Sequence, residues 1–208
     1  EAKYGLDQPV IVQFFRYVAN MLQGDLGVSY SISKNTPITQ LLQTRLPTSL
    51  RIGAQAILLG TAVGLLLGVV AALKHNSFWD TLCTAVSVLG VSVPSYVFAL
   101  FLAYLCGFRL GWFPQLYQMA HPLLSSILPS AALSVFTIAS VARFARGGLL
   151  DVLGSDYMLL AASKGLPKPL LIVRHALRNA LIPIVTVLAP LGVSLMTGSL
   201  VVEKIFAI

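Results

Sequence analysis

Charge is scarce in this chain. Only 10% of its 208 residues are Asp, Glu, Lys or Arg, while 57% are hydrophobic and the mean hydropathy is +0.85. A soluble domain carries about 25% charged residues, and a soluble fold this apolar could not cover its own surface. A disordered chain and an ordinary cytosolic enzyme are therefore excluded. Cysteine is nearly missing. Cys83 and Cys106 lie in apolar stretches without C-x-x-C spacing, which excludes a disulfide scaffold and reads as two small core residues. The sequence lacks a G-x-x-x-x-G-K-[ST] phosphate loop, an H-E-x-x-H pair and a G-x-S-x-G elbow. His75, His121 and His175 fall in loops or at the ends of apolar runs, so no Ser/His pair for intramembrane proteolysis is expected. The chain is expected not to be an enzyme and to carry no catalytic, cofactor-binding or metal-binding residues. It also lacks an initiator Met and a leader, which predicts an interior piece of a longer subunit.

What is there is a set of long uncharged runs: Ile52 to Leu73, Thr81 to Phe108, the stretch from Pro122 towards Arg143, and Asn179 to Val202. A helix needs roughly 20 apolar residues to cross a ~30 Å hydrocarbon core, so all four qualify. They predict an all-α, polytopic transmembrane bundle with spans at about 52–73, 82–106, 122–142 and 180–202. Gly60, Gly64 and Gly68 repeat every four residues in the first span, with Gly53 before them, a flat stripe against which another helix packs closely. Pro94, Pro129, Pro183 and Pro190 lie in or beside spans and predict kinks. No Asp, Glu, Lys, Arg or His falls inside any of the four spans, whereas carriers driven by ion gradients usually keep one there.

Basic residues outnumber acidic ones 14 to 7, for a net charge of +7. No basic run with interleaved aromatics favours nucleic acid; the surplus fits the positive-inside rule. Arg143, Arg146, Lys164, Lys168, Arg174 and Arg178 stand against Asp151 and Asp156 in residues 143–179, which places that loop in the cytoplasm. Alternation puts the loop 74–80 on the same side, and the loop 107–121 and both ends outside. Five basic residues in the first 51 argue weakly the other way. Residues 1–45 read as an extracytoplasmic amphipathic segment preceding a transmembrane domain at 46–208. Within it Ile11, Phe14, Phe15, Val18 and Leu22 recur at helical spacing between Asp7-x-Pro9 and Gly24. A helix on the membrane surface or against the spans is expected there, then an irregular linker over 24–40 and a short helix near 37–45.

The segment from Ser155 to Pro183 is the most informative. Ser155 suits an N-cap, Tyr157, Leu160, Ala161 and Lys164 share a helical face, and Gly165 suits a left-handed stop. Pro167 and Pro169 restart the chain, and Leu170, Val173 and Leu177 form a second apolar stripe beside Arg174 and Arg178. Two short helices joined at Gly165 are predicted. An ordinary amphipathic loop with snorkelling arginines and a docking element both fit; Ala161 and Ala162, small and beside a turn, are what a partner's groove could approach closely.

Ala161-Ala162-x-x-Gly165, a basic helix and then Asn179-Ala180-Leu181-Ile182-Pro183 resemble the EAA loop of ABC importer permeases. The wider run from Asp156-Tyr157 through Lys164-Gly165 to His175-Ala176-Leu177-Arg178-Asn179-Ala180 resembles the dipeptide/oligopeptide/nickel branch. So do Gly5-Leu6-Asp7-Gln8-Pro9, Gly24-Asp25-Leu26-Gly27-x-Ser29, Arg45-Leu46-Pro47-Thr48, Gly90-Val91-Ser92-Val93-Pro94 and Val202-Glu203-x-Ile205-Phe206. Leu160 stands where the motif's leading Glu would be. The resemblance implies the type I ABC importer permease fold in a partial chain, with one more span before Glu1 and another after Ile208. It implies a bacterial inner-membrane pathway for peptides shared with a second homologous permease subunit. Two cytoplasmic ATPase subunits, carrying the ATP and magnesium, and an extracytoplasmic binding protein are the other implied partners. Membrane lipid surrounds it, and nucleic acid has no part. The loop 143–179 would dock on the ATPase, with Ala161 and Ala162 in close contact, Gly165 as pivot and Arg174 and Arg178 set against the partner or lipid headgroups. Tyr157, Lys164, His175, Asn179 and Pro183 complete the expected coupling residues. Nickel, a metal chelate or glutathione are alternative cargoes, and a self-contained channel or secondary carrier is the rival of another class.

Overall fold

Small residues decide where these helices pack, and one proline, Pro94, breaks an expected span. The computed structural model describes residues 8–30, 33–197 and 199–208, Lys168 without its side chain. The Gly5–Asp7 part of the first outer motif lies outside the described residues. The chain divides into two compact units, Glu1–Thr48 and Ser49–Ile208.

In the first unit, α1 (Val10–Leu22) starts directly after Pro9, whose carbonyl accepts the Val12 and Gln13 N–H groups. Ile11, Phe14, Phe15 and Leu22 are all exposed. The stretch expected as an irregular linker has a built turn instead. The Asp25 carboxylate accepts the Gly27 N–H at 2.9 Å, and Gly24 and Gly27 take φ values of +85° and +78°, which glycine adopts without a Cβ clash. This turn leads into β1 (Val28–Ser29), paired antiparallel with β2 (Thr36–Pro37) in the register Val28↔Pro37. The short helix expected near 37–45 is not separate. It is the first part of α2 (Ile38–Leu73), 36 residues long, which passes through Pro47. One missing donor, opposite the Gln43 carbonyl, is not enough to break so long a helix.

The second unit is built around α6 (Ile127–Leu153). Of the apolar windows of the long helices, 67% of the one on α6 is buried, against 33% for α2 and 11% for the stretch Leu171–Met196. Alanines and serines line α6, so backbones approach it closely. A Cβ at Gly60 would come 2.5 Å from Thr137 Cβ, one at Gly64 2.8 Å from both Ile138 O and Val141 Cβ, and one at Gly68 2.5 Å from Ala145 Cβ. The predicted glycine stripe therefore lies flat on α6. From the other side α3 (Phe78–Ser92) approaches through Gly90, where a Cβ would lie 2.8 Å from Ala139 Cβ. Ser130 adds a polar tie from α6, donating to Gln55 Oε1 at 2.9 Å.

Three of the expected span boundaries change. The second expected span is broken: α3 ends at Ser92, Val93 is extended, and α4 (Ser95–Leu102) starts after Pro94, the two helical halves meeting at 101°. Proline disfavours helical backbone in the residue before it, so the break falls at Val93. A π-helical segment, Ala103–Arg109, continues α4. After the one-turn α5 (Pro122–Ser125), α6 runs to Leu153, so Arg143 and Arg146, expected in a loop, sit on a helix. The last expected span ends early, at Met196 in α9 (Arg178–Met196), and α10 (Leu200–Phe206) folds back into the bundle. Val202 and Phe206 join Ile52, Ala56, Ala99, Leu128 and Ala132 in one core, while the Ser49 hydroxyl donates to Glu203 Oε1 at 2.6 Å. The Val-Glu-x-Ile-Phe motif thus puts two apolar anchors and one tether on a short helix. Among the described residues, three helices are long and apolar enough to cross a membrane, and the bent pair α3–α4 makes a fourth if it counts as one.

Candidate functional site

Beyond Leu153 the chain turns at Gly154 and Ser155 into α7 (Asp156–Ser163). Ser155 has the extended backbone of an N-cap, φ −85° and ψ 151°, but its hydroxyl turns back to the Val152 carbonyl. Its own carbonyl accepts the Met158 and Leu159 N–H groups at 3.1 and 3.3 Å. An eight-residue helix is marginal alone, so tertiary contacts must hold it. Met158 is the main one: it is buried with Leu149 of α6, Ala72 of α2, and Ala176 and Ala180, with Val69, Leu153 and Leu171 around them. At the exposed edge, Asn179 Nδ2 donates to the Tyr157 hydroxyl at 2.9 Å, joining two of the predicted residues across the turn.

The helix stops where expected. The Gly165 N–H donates to the Ala162 carbonyl at 3.0 Å, and Gly165 has φ +77°. No atom lies within 4 Å of where its Cβ would be, so backbone conformation, not crowding, is what calls for glycine. After Pro167 the chain re-enters helix in α8 (Lys168–Leu170), widens into a π-helical segment at Leu171–Leu177 and continues unbroken as α9. The expected second short helix is thus the first turns of a long one. π winding also alters the expected stripe: Leu171 and Ala176 pack inward, while Val173 is exposed. Arg174, Arg178 and Asn179 are exposed and His175 is half-buried. Pro183 lies within α9, its ring 3.6 Å from where a Gly148 Cβ would be.

Around the rest of α7, Leu159 is 73% and Leu160 58% exposed, Lys164 is exposed, and Ala162, one turn on from Met158, is exposed beside the half-buried Ala161. The predicted face of Tyr157, Leu160, Ala161 and Lys164 therefore points mostly outward, and the inward anchor is Met158. Sequence reasoning passed over Met158 and Leu159, although Met158, Ala161, Ala162 and Gly165 recur at i, i+3, i+4 and i+7. A recess of about 320 Å³ between Leu153, Ser155, Met158, Leu159, Ala162 and Leu171 adjoins the exposed leucines. A short helix seated on three others, with two bare leucines, a small step at Ala162 and a terminal lysine, can dock a partner protein.

The fold is that of a helical membrane protein with a short helix left partly bare at its edge. Residues 64–208 match the model of the binding-protein-dependent transport system inner membrane components, and the chain belongs to that family. It is 42% identical over 205 residues to the dipeptide transport system permease protein of Lactococcus lactis subsp. cremoris, covering 99% of this chain and 67% of that protein. It is 38% identical to the oligopeptide transport system permease protein of Haemophilus influenzae, covering 100% of this chain and 68% of the relative. To the dipeptide transport system permease protein of Bacillus subtilis it is 39% identical, covering 100% and 67%.

Proposed function

We propose that this chain is a permease subunit of an ATP-driven importer of peptides in the bacterial inner membrane. The reading is carried by one observation: Met158 anchors α7 and Asn179 ties its Tyr157 edge, while Leu159, Leu160 and Ala162 are left bare. A helix held this firmly transmits force, and a bare apolar front needs a cover. The relatives named as dipeptide and oligopeptide permease proteins support peptides as cargo. In this account the bundle, multi-pass, lines the pathway with a homologous subunit, and α7 docks from the cytoplasmic side on one of two ATPase subunits. A binding protein delivers peptide from outside. ATP and magnesium act on the ATPase, and this chain responds to nucleotide only through α7, whose position differs between the two states that ATP populates unequally.

The test is uptake of a radiolabelled tripeptide into proteoliposomes holding the complete transporter. Uptake is expected to require ATP on the ATPase side and the binding protein, and to continue when ionophores collapse every ion gradient. Uptake that needs no ATP and stops with the ionophores would make the chain a carrier.

A further inference from the structure

Asp80 is the carboxylate that the sequence placed in a loop and the fold buries. It lies in the first turn of α3, 4% exposed, and four contacts converge on it. Arg146 of α6 grips both its oxygens, Nε to Oδ1 at 2.6 Å and Nη2 to Oδ2 at 2.9 Å. The Asn76 N–H donates to Oδ2 at 3.0 Å, and His75 Nδ1 stands 3.0 Å from the same oxygen. A two-pronged guanidinium–carboxylate pair fixes angle as well as distance. The α2–α3 turn, the start of α3 and the shaft of α6 are thus locked at one point. Gly68 packs α2 against Ala145 and Arg146 at the same level. Seven residues beyond Arg146, α6 ends at the turn into α7, and Ala72, just before the α2–α3 turn, lies in the cluster that seats Met158.

From these placements we propose that Asp80–Arg146 is a permanent strut, a positioning pair that makes α3 move with α6 when α7 is displaced. The inference rests on the docking of α7 proposed above. The strut carries that displacement into α3 and across the Val93–Pro94 bend to α4, whose Ala99 shares a core with Val202 and Phe206 of α10. Without it α6 moves alone, and hydrolysis continues without moving the far end of the bundle. A pair that serves only to hold the fold would lower hydrolysis and uptake together.

The experiment measures tripeptide imported per ATP hydrolysed by the complete transporter in proteoliposomes. Arg146→Lys, which keeps the charge but not the fork, and Asp80→Asn are expected to retain most ATP hydrolysis and to lower that ratio about tenfold. Removing one partner of a buried pair can also unfold a helix end, so a third variant carries Asp80→Cys and Arg146→Cys in a background with Cys83→Ala and Cys106→Ala. A short bifunctional thiol reagent then replaces the ion pair with a covalent link, and is expected to bring the ratio back to at least half that of the parent. An unchanged ratio in Arg146→Lys, or equal losses of hydrolysis and uptake in both single variants, would overturn the strut, as would a linked protein that hydrolyses ATP but imports nothing. The same membranes are assayed for a cross-link between a cysteine at Ala162 and the ATPase. Its presence with an unchanged ratio sinks the strut alone; its absence sinks the docking reading, and the strut with it.

Discussion

Replacing Ala162 with Asp is expected to reduce ATP-driven uptake to background while the protein still inserts at its normal level. Ala162 is exposed on α7 and is not part of the cluster that buries Met158, so a carboxylate there is solvated in the isolated chain. On docking the same carboxylate would be stripped of water without a partner. An uncompensated buried charge costs about 3–5 kcal/mol, which is roughly a hundredfold or more in affinity. Ala162→Ser adds one small hydroxyl and is expected to keep most uptake. Quantitative membrane fractionation and tripeptide uptake check the pair. Normal uptake by Ala162→Asp would mean that α7 meets its partner elsewhere or not at all.

The second large effect is on the fold. Gly64→Leu would place a Cβ 2.8 Å from the Ile138 carbonyl oxygen and from Val141 Cβ, and the first of these is backbone, which cannot swing aside. Overpacking costs about 1–3 kcal/mol and sometimes more, and here three glycines in register must all open together. The full chain in detergent micelles is expected to unfold several degrees lower or to be recovered largely aggregated. Gly147→Ala, on α6 with no atom within 4 Å of its Cβ position, is expected to be neutral or to stabilise by up to about 1 kcal/mol through helix propensity. Thermal unfolding followed by circular dichroism compares the two. A Gly64→Leu protein as stable as Gly147→Ala would contradict the packing of α2 on α6.

How far the sequence could be read depended on the range of the forces involved. The glycine stripe, the left-handed stop at Gly165 and the apolar runs are local patterns, and the structure has them where the residues stand. What sequence reading missed needed two distant segments at once. Asp80 looked like a loop residue because its burial depends on Arg146, 66 positions away. Met158 looked like one apolar residue among several, because α2, α6 and α9 meet only in three dimensions. Proline proved ambiguous for the same reason. At Pro94 the chain breaks, whereas Pro47, Pro183 and Pro190 are carried inside helices. The bend after Val93 and the return of α10 shorten apolar runs that hydropathy alone reads as whole spans.

The central claim is that α7 touches an ATPase and moves with its nucleotide state. A single cysteine at Ala162, in a chain with Cys83 and Cys106 replaced, addresses it in native membranes containing the partner ATPase bearing cysteines along its groove. The account predicts a cross-link whose yield changes severalfold when ATP is added. No cross-link to any ATPase position, with the protein inserted and the complex intact, would contradict it.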